Sequence, residues 1–172
     1  MLKLLGAVFI IISSTLAGFY ISRSYSDRTK QLRILQLGLQ MLETEIVYGS
    51  VPLYLAMEKI GRRLKGIIGE IFLSMSKNLN ELDGLSAFEC WLEAIEMHYR
   101  KTSLKKQDKE ILIHFGQTLG ISDKEDQMKH IKLALQNLKT EENLAREEQK
   151  SYEKLSKSLG ILVGLLIVIL MY

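Results

Sequence analysis

Three histidines, His98, His114 and His130, and one cysteine, Cys90, are the residues of the chain best suited to ligating a metal or attacking a substrate. The histidines are sixteen apart, so no two form an i,i+3 or i,i+4 ligand pair, and none has the cysteine at metal-ligand spacing. They read as surface or internally satisfied side chains. Cys90 precedes Trp91 with no base in view to activate it, so a small buried side chain is the expectation. Glu89, Glu93 and Glu96 share a helical face and could imitate a carboxylate set. A diiron bundle needs Glu-x-x-His, which this face lacks, so the face is expected to be solvated. There is no Walker lysine motif and no dinucleotide glycine pattern. These readings point away from an enzyme, with no cofactor and no metal expected. Any nucleotide hydrolysis would belong to a partner.

Charged groups offer more. Arg62-Arg63-x-Lys65 and Arg100-Lys101 with Lys105-Lys106 lack interleaved aromatics for base stacking, which argues against nucleic acid. Their default reading is a solvated corner, and the competing one is contact with anionic lipid or an acidic partner. The strip Glu141–Lys150 includes Glu141, Glu142, Glu147 and Glu148. It either projects as a solvated stalk or meets a partner. Together with Arg62 and Arg63, those glutamates are the candidate partner surface.

The elements that carry these groups are helical. A single proline and many Leu, Lys, Glu, Gln, Met and Ala residues favour helices. Leu32, Leu35, Leu39, Leu42 and Ile46 recur at steps of three and four from about Asp27, with Gly49 as the stop. Ile34, Leu37, Met41 and Val47 widen the stripe and predict burial on more than one side. Pro52 is expected in the first turn of the next helix, which runs to about Leu64 before Gly66. A third helix spans roughly 67–82 and stops at Asp83-Gly84. Ser86-Ala87-Phe88-Glu89 is a capping box for a fourth, whose stripe is Phe88, Trp91, Leu92, Ile95 and Tyr99. Thr102-Ser103 is expected to cap a fifth, ending at Gly120, and Ser122–Glu125 is a second capping box. The final helix meets no Gly or Pro before Gly160 and could continue into the tail. Its seam of Met128, Ile131, Leu135 and Leu138 then reaches Glu142, Ala145, Gln149 and Tyr152, where it is expected to fade.

Whole-chain averages conceal this plan. At 172 residues, a net charge of +3 and mean hydropathy of +0.06 suggest one soluble domain. Every acidic residue, and all of the 23 basic ones except Lys3, lie between Arg23 and Lys157. The stretches Leu4–Ser22 and Ser158–Tyr172 carry no charge. One cysteine excludes a disulfide framework. The first stretch has the length of a membrane span, with Phe19 and Tyr20 as interfacial anchors; its rival is a cleaved signal peptide with a poor site at Thr15-Leu16-Ala17. The second is short and spans best if Lys157 snorkels; its rival is a buried soluble helix. Basic residues on the inner flanks (Arg23, Arg28, Lys30 and Arg33; Arg146, Lys150, Lys154 and Lys157) predict a cytoplasmic middle. The expected plan is a span over 1–22, an all-α bundle over 23–157 whose long last helix starts near 122, and a span over 158–172. Gly160 and Gly164, with Ser14 and Gly18 in the first span, are candidate positions for close helix approach and a homo-oligomer.

The opening Met1-Leu2-Lys3-Leu4-Leu5-Gly6-Ala7-Val8-Phe9-Ile10, the run Leu42–Leu53, the run Leu119–Gln127 and the apolar tail, taken in order, resemble the stage III sporulation protein AB family. The resemblance covers nearly the whole chain. It implies a membrane protein of the channel between mother cell and forespore, sited in the mother-cell membrane facing the forespore, with a secretion-type ATPase as partner. That family is in turn similar to the helical cytoplasmic domain of type II secretion and type IV pilus platform proteins, where a leucine-rich helix, a glycine turn and Pro-Leu open the second helix, as Leu35–Ala56 does here. Platform proteins have two such domains and this chain has one, with an added N-terminal span. The main rival function is a membrane-tethered helical adaptor or signalling protein outside sporulation; a further one is an exported enzyme with a cleaved N-terminus.

Overall fold

The computed structural model describes residues 2–49, 51–81, 84–120 and 124–171. Among them are six helices and no strand: α1 (Leu2–Tyr48), α2 (Leu53–Arg63), α3 (Ile67–Glu81), α4 (Ala87–Tyr99), α5 (Lys106–Gly116) and α6 (Lys124–Met171). The all-α expectation holds for these residues. The chain divides into two compact units. One is Lys30–Glu142, and the other joins Met1–Thr29 to Asn143–Tyr172. α1 is continuous from the first apolar stretch into the leucine helix.

In the unit Lys30–Glu142, the leucine stripe forms one wall of the core. Leu32, Leu35, Leu39 and Leu42 are fully buried. They meet Met57 and Ile60 of α2, Ile68, Ile71, Phe72 and Met75 of α3, and Trp91 and Ile95 of α4 in one apolar interior. The added breadth predicted for the stripe is only partly realised. Ile34, Met41 and Val47 are half-buried, whereas Leu37 is 50% exposed, because its position lies with Lys30 and Gln40 on the solvent side of α1. At the centre, the Trp91 ring stands edge-on to Phe72 at 5.5 Å and to Phe115 at 6.0 Å, the arrangement that ring quadrupoles favour. Its indole N–H donates to the Leu112 carbonyl at 2.7 Å, so the one polar atom of that side chain is satisfied.

Local chemistry sets the helix ends. Pro52 sits one place earlier than expected, as the N-cap of α2, and its carbonyl accepts from Leu55 and Ala56. Ser86 and Glu89 form the anticipated capping box: the Glu89 N–H donates to the Ser86 hydroxyl oxygen at 3.2 Å, and the Ser86 N–H donates back to the Glu89 carboxylate at 2.8 Å. Those Ser86 donors, backbone first and hydroxyl second, hold the Glu89 carboxyl below its ordinary pKa. The fifth helix departs from expectation. Thr102 instead closes α4, donating to the Tyr99 carbonyl at 2.7 Å, and the Ser103 N–H donates to Gln31 Oε1 of α1 at 2.8 Å. The start of α5 is held by Asp108, fully buried, which accepts from the Lys105 N–H at 2.7 Å. Gly66 and Gly120 adopt φ of 74° and 81°, left-handed turns that side chains with a Cβ resist. The second capping box falls partly on Ser122 and Asp123, outside the described residues.

Among the described residues no helix is long and apolar enough to cross a membrane. Most side chains of 2–21 and 153–171 lie outside the described set, those of Ser14, Gly18, Gly160 and Gly164 included.

The Trp91 cluster yields a test. A Cβ on Gly116 would sit 2.2 Å from Trp91 Cδ1, and the ring is pinned by its hydrogen bond. Gly116→Ala is expected to destabilise the bundle by about 2–3 kcal/mol through overpacking. Urea unfolding followed by Trp91 fluorescence checks this, and an unchanged midpoint contradicts it.

Candidate interaction surfaces

The residues first suspected of chemistry are engaged separately. His98 is buried, with the Ser74 hydroxyl 2.7 Å from Nε2 and a Glu70 carboxylate oxygen 3.5 Å from Nδ1. His130 pairs with Asp126 across one turn of α6, at 3.6 Å. His114 and His130 both line a cavity of about 370 Å³ between α5 and α6, yet among the described residues no three potential ligands come together to hold a metal. Cys90 is fully buried, and burial first, then the Glu93 and Glu89 carboxylates, pushes its thiol pKa up. A thiol so placed keeps its proton and is a poor nucleophile. The glutamates beside it are likewise dispersed. Glu89 caps α4, Glu93 accepts from Asn78 at 3.3 Å, and Glu96 pairs with Lys109 at 2.5 Å.

The acidic strip behaves differently from expectation. Glu142 is 2% exposed, and its carboxylate accepts from Arg33 Nε at 2.7 Å, Gln36 Nε2 at 3.3 Å and Lys139 Nζ at 2.7 Å. Three donors around one buried carboxylate satisfy it within the unit, joining α1 to α6. Glu142 is therefore an internal anchor and does not present itself to a partner. In the other unit, Glu148 accepts from Arg28 Nη1 at 3.0 Å. Tyr152 stacks on Tyr25 with ring centroids 5.4 Å apart and planes 12° from parallel. Ala145 is 1% exposed. The α6 seam thus does not end at Glu142; Glu142 and Tyr152 each meet α1 within their own unit. A short-range sequence signal existed, since Glu142, Ala145, Gln149 and Tyr152 keep the three-four spacing, but its partner lies over a hundred residues away.

Of the remaining candidate positions, Glu141 is half-buried and Glu147 exposed. Arg62 is exposed and makes a two-point contact with Glu58, through Nε at 2.9 Å and Nη2 at 2.7 Å. Arg63 is exposed beside it. The two basic corners meet α1 at different levels. Ser103 bonds Gln31, and Leu64 lies against α1 at Gly38.

A surface the sequence reading missed lies at the α1–α2 turn. A cavity of about 220 Å³ is lined by Leu42, Gly49, Val51, Leu53, Leu119 and Lys124, among others. Around this turn Tyr48 is 85% exposed, Val51 47% and Leu55 39%. Three apolar side chains left in water beside a groove are a feature of interaction sites. Only the exposed Tyr48 at the end of a leucine stripe could have signalled it.

Among the described residues, the fold is a small all-α bundle with dispersed polar residues and paired terminal helices. Comparison with known proteins supplies the family. The model of the stage III sporulation protein AB family matches residues 3–172. Stage III sporulation protein AB of Bacillus subtilis (strain 168) is 43% identical over 171 residues, 99% of each chain. A solved structure of stage III sporulation protein AB superposes with a TM-score of 0.69 at 38% identity, covering 73% of this chain and 98% of that one. The chain belongs to the stage III sporulation protein AB family. A role in sporulation follows, and the rival reading of an adaptor outside sporulation is set aside.

The Glu142 anchor predicts that Glu142→Ala loses about 2 kcal/mol of stability, since charged hydrogen bonds go and Arg33 and Lys139 are left facing each other. Thermal unfolding by circular dichroism reads the change, and a loss below measurement would show the anchor to be dispensable.

Proposed function

We propose that this protein is a non-enzymatic platform in the membrane channel between mother cell and forespore, and that its bundle docks a secretion-type ATPase. The observation that carries the membrane part is the outward display of large apolar side chains in the unit built from the two chain ends. Ile12 is 50% exposed, Leu16 63%, Leu162 59%, Leu166 59% and Ile169 73%. In water such a surface is unfavourable, and in hydrocarbon it is the favoured one. The charge-free stretches Leu4–Ser22 and Ser158–Tyr172 agree with it, as does Tyr20, 79% exposed at the edge of the first. The basic flanks support a cytoplasmic bundle, and the sporulation family supports the mother-cell membrane facing the forespore as the membrane that holds it. Arg62, Arg63 and Lys65, with Arg100, Lys101, Lys105 and Lys106, then suit anionic headgroups.

The ATPase contact is assigned to the exposed apolar turn at Tyr48, Val51 and Leu55. Apolar side chains that bury against a partner supply most of an interface's energy, whereas exposed charges mainly steer the approach. Gly160 and Gly164, with Ser14 and Gly18, are proposed to let span helices approach closely in a homo-oligomer.

Two measurements test this reading. With Cys90→Ala as background, Lys101→Cys in intact cells is expected to resist a membrane-impermeant thiol reagent, and ready labelling overturns the cytoplasmic placement. The wild-type protein is expected to retain the sporulation ATPase in a pull-down at micromolar concentration, and Tyr48→Ala with Val51→Asp to lower retention about tenfold or more. Equal retention by the variant rejects the turn as the docking site, and no retention by the wild type rejects the platform reading.

A further inference from the structure

The unit formed by Met1–Thr29 and Asn143–Tyr172 contains a feature that neither the platform reading nor the spans require. Arg28 is 4% exposed, Thr29 3% and Ser22 3%, in a unit contributed by only two helices. Burying a guanidinium is costly unless a charge partner meets it, and Glu148 does so at 3.0 Å while remaining partly in water at 32% exposure. One layer away, Tyr25 and Tyr152 stack at 5.4 Å. As the number falls from 28 to 25 on α1, that of the partner rises from 148 to 152 on α6, which is antiparallel pairing in a single register.

An apolar seam tolerates sliding by whole turns, because leucine meets leucine in each register. A buried charge does not. If α6 slid by one turn, Arg28 would lose its carboxylate, and Tyr25 and Tyr152 would part. Polar groups at seam positions are known to select one register at some cost in stability. We propose that Arg28 and Glu148, backed by the Tyr25–Tyr152 stack, form a register latch that locks the chain's two terminal helices in one antiparallel alignment. With the pair in place the two segments hold one alignment; without it their pairing in this unit loosens. The latch is independent of which partner the bundle docks, since all four residues lie outside the proposed docking surface.

The test uses the full-length chain in lipid nanodiscs with Cys90→Ala as background. Three residues on from the tyrosine layer along both helices, Ser22→Cys with Leu155→Cys reports the native register. Ser22→Cys with Ser151→Cys reports a one-turn slide. Disulfide formation under mild oxidation is quantified by mass after maleimide blocking of the remaining thiols. The first pair is expected to cross-link and the second not. Arg28→Glu, which sets two carboxylates against each other, is expected to lower the native cross-link about tenfold. The exchange Arg28→Glu with Glu148→Arg is expected to restore the native cross-link to within about twofold. Arg28→Gln, which removes the charge without repulsion, should act in the same direction and serves if Arg28→Glu does not fold; native Trp91 emission reports folding of the bundle in every variant. Native cross-linking that is unaffected by both Arg28 substitutions overturns the latch. So does a loss that the exchange fails to restore, because the pairing would not then be its cause.

Discussion

Charge buried between the first and last helices is the interaction on which the rest of this protein depends. Glu142 in one unit and Arg28 in the other are each almost wholly removed from water, and each is tolerable only with its partners in place. Arg33, Gln36 and Lys139 converge on the first, and Glu148 on the second. The net energy of such pairs is small or even unfavourable beside an apolar replacement. Their effect is selective: they discriminate between alignments of two long helices that leucines alone would leave nearly degenerate. The helices nearest the two chain ends are brought together in this way, although they are separated by most of the sequence.

Within the bundle, the remaining helices close around the leucine face of α1. Trp91 occupies the centre with its indole N–H bonded to Leu112, and two aromatic rings edge-on to it. The groups that chemistry would recruit are used for packing and capping: Cys90 is buried with its proton held, Glu89 caps α4, and His98 is enclosed beside Ser74 and Glu70. What the molecule offers outward is surface. There is an apolar turn at Tyr48, Val51 and Leu55, there are basic corners at 62–65 and 100–106, and there are outward-facing apolar side chains on the paired terminal segments. These suit a protein that works by holding and being held.

Much of the fold was legible because it is written in local patterns. The three-four spacing of Leu32, Leu35, Leu39 and Leu42 depends only on helix geometry, and all four are in the core. Ser86 and Glu89 satisfy each other over three residues, and Gly66 and Gly120 supply left-handed backbone wherever they stand. The start of α5 was misplaced because two capping candidates competed within a few residues. Thr102 turned to the end of α4, and α5 is capped at Lys105 with Asp108 as the acceptor. The half-exposed Leu37 shows the same limit: spacing marks an apolar face without saying how far neighbours wrap around it.

The sequence by itself determined the all-helical class, the charge-free ends and the family, since periodicity, composition and motif order are properties of the chain taken in line. Only the tertiary structure decided the meaning of the acidic strip. Glu142 and Glu148 look alike in a run of solvated glutamates, and neither carries a mark of its burial or pairing. Their partners Arg33 and Arg28 lie 109 and 120 residues away, and a carboxylate's environment is set by what folds against it rather than by its neighbours in the chain. The same holds for the apolar turn at Tyr48 and Val51, which becomes a surface because none of the described residues covers it.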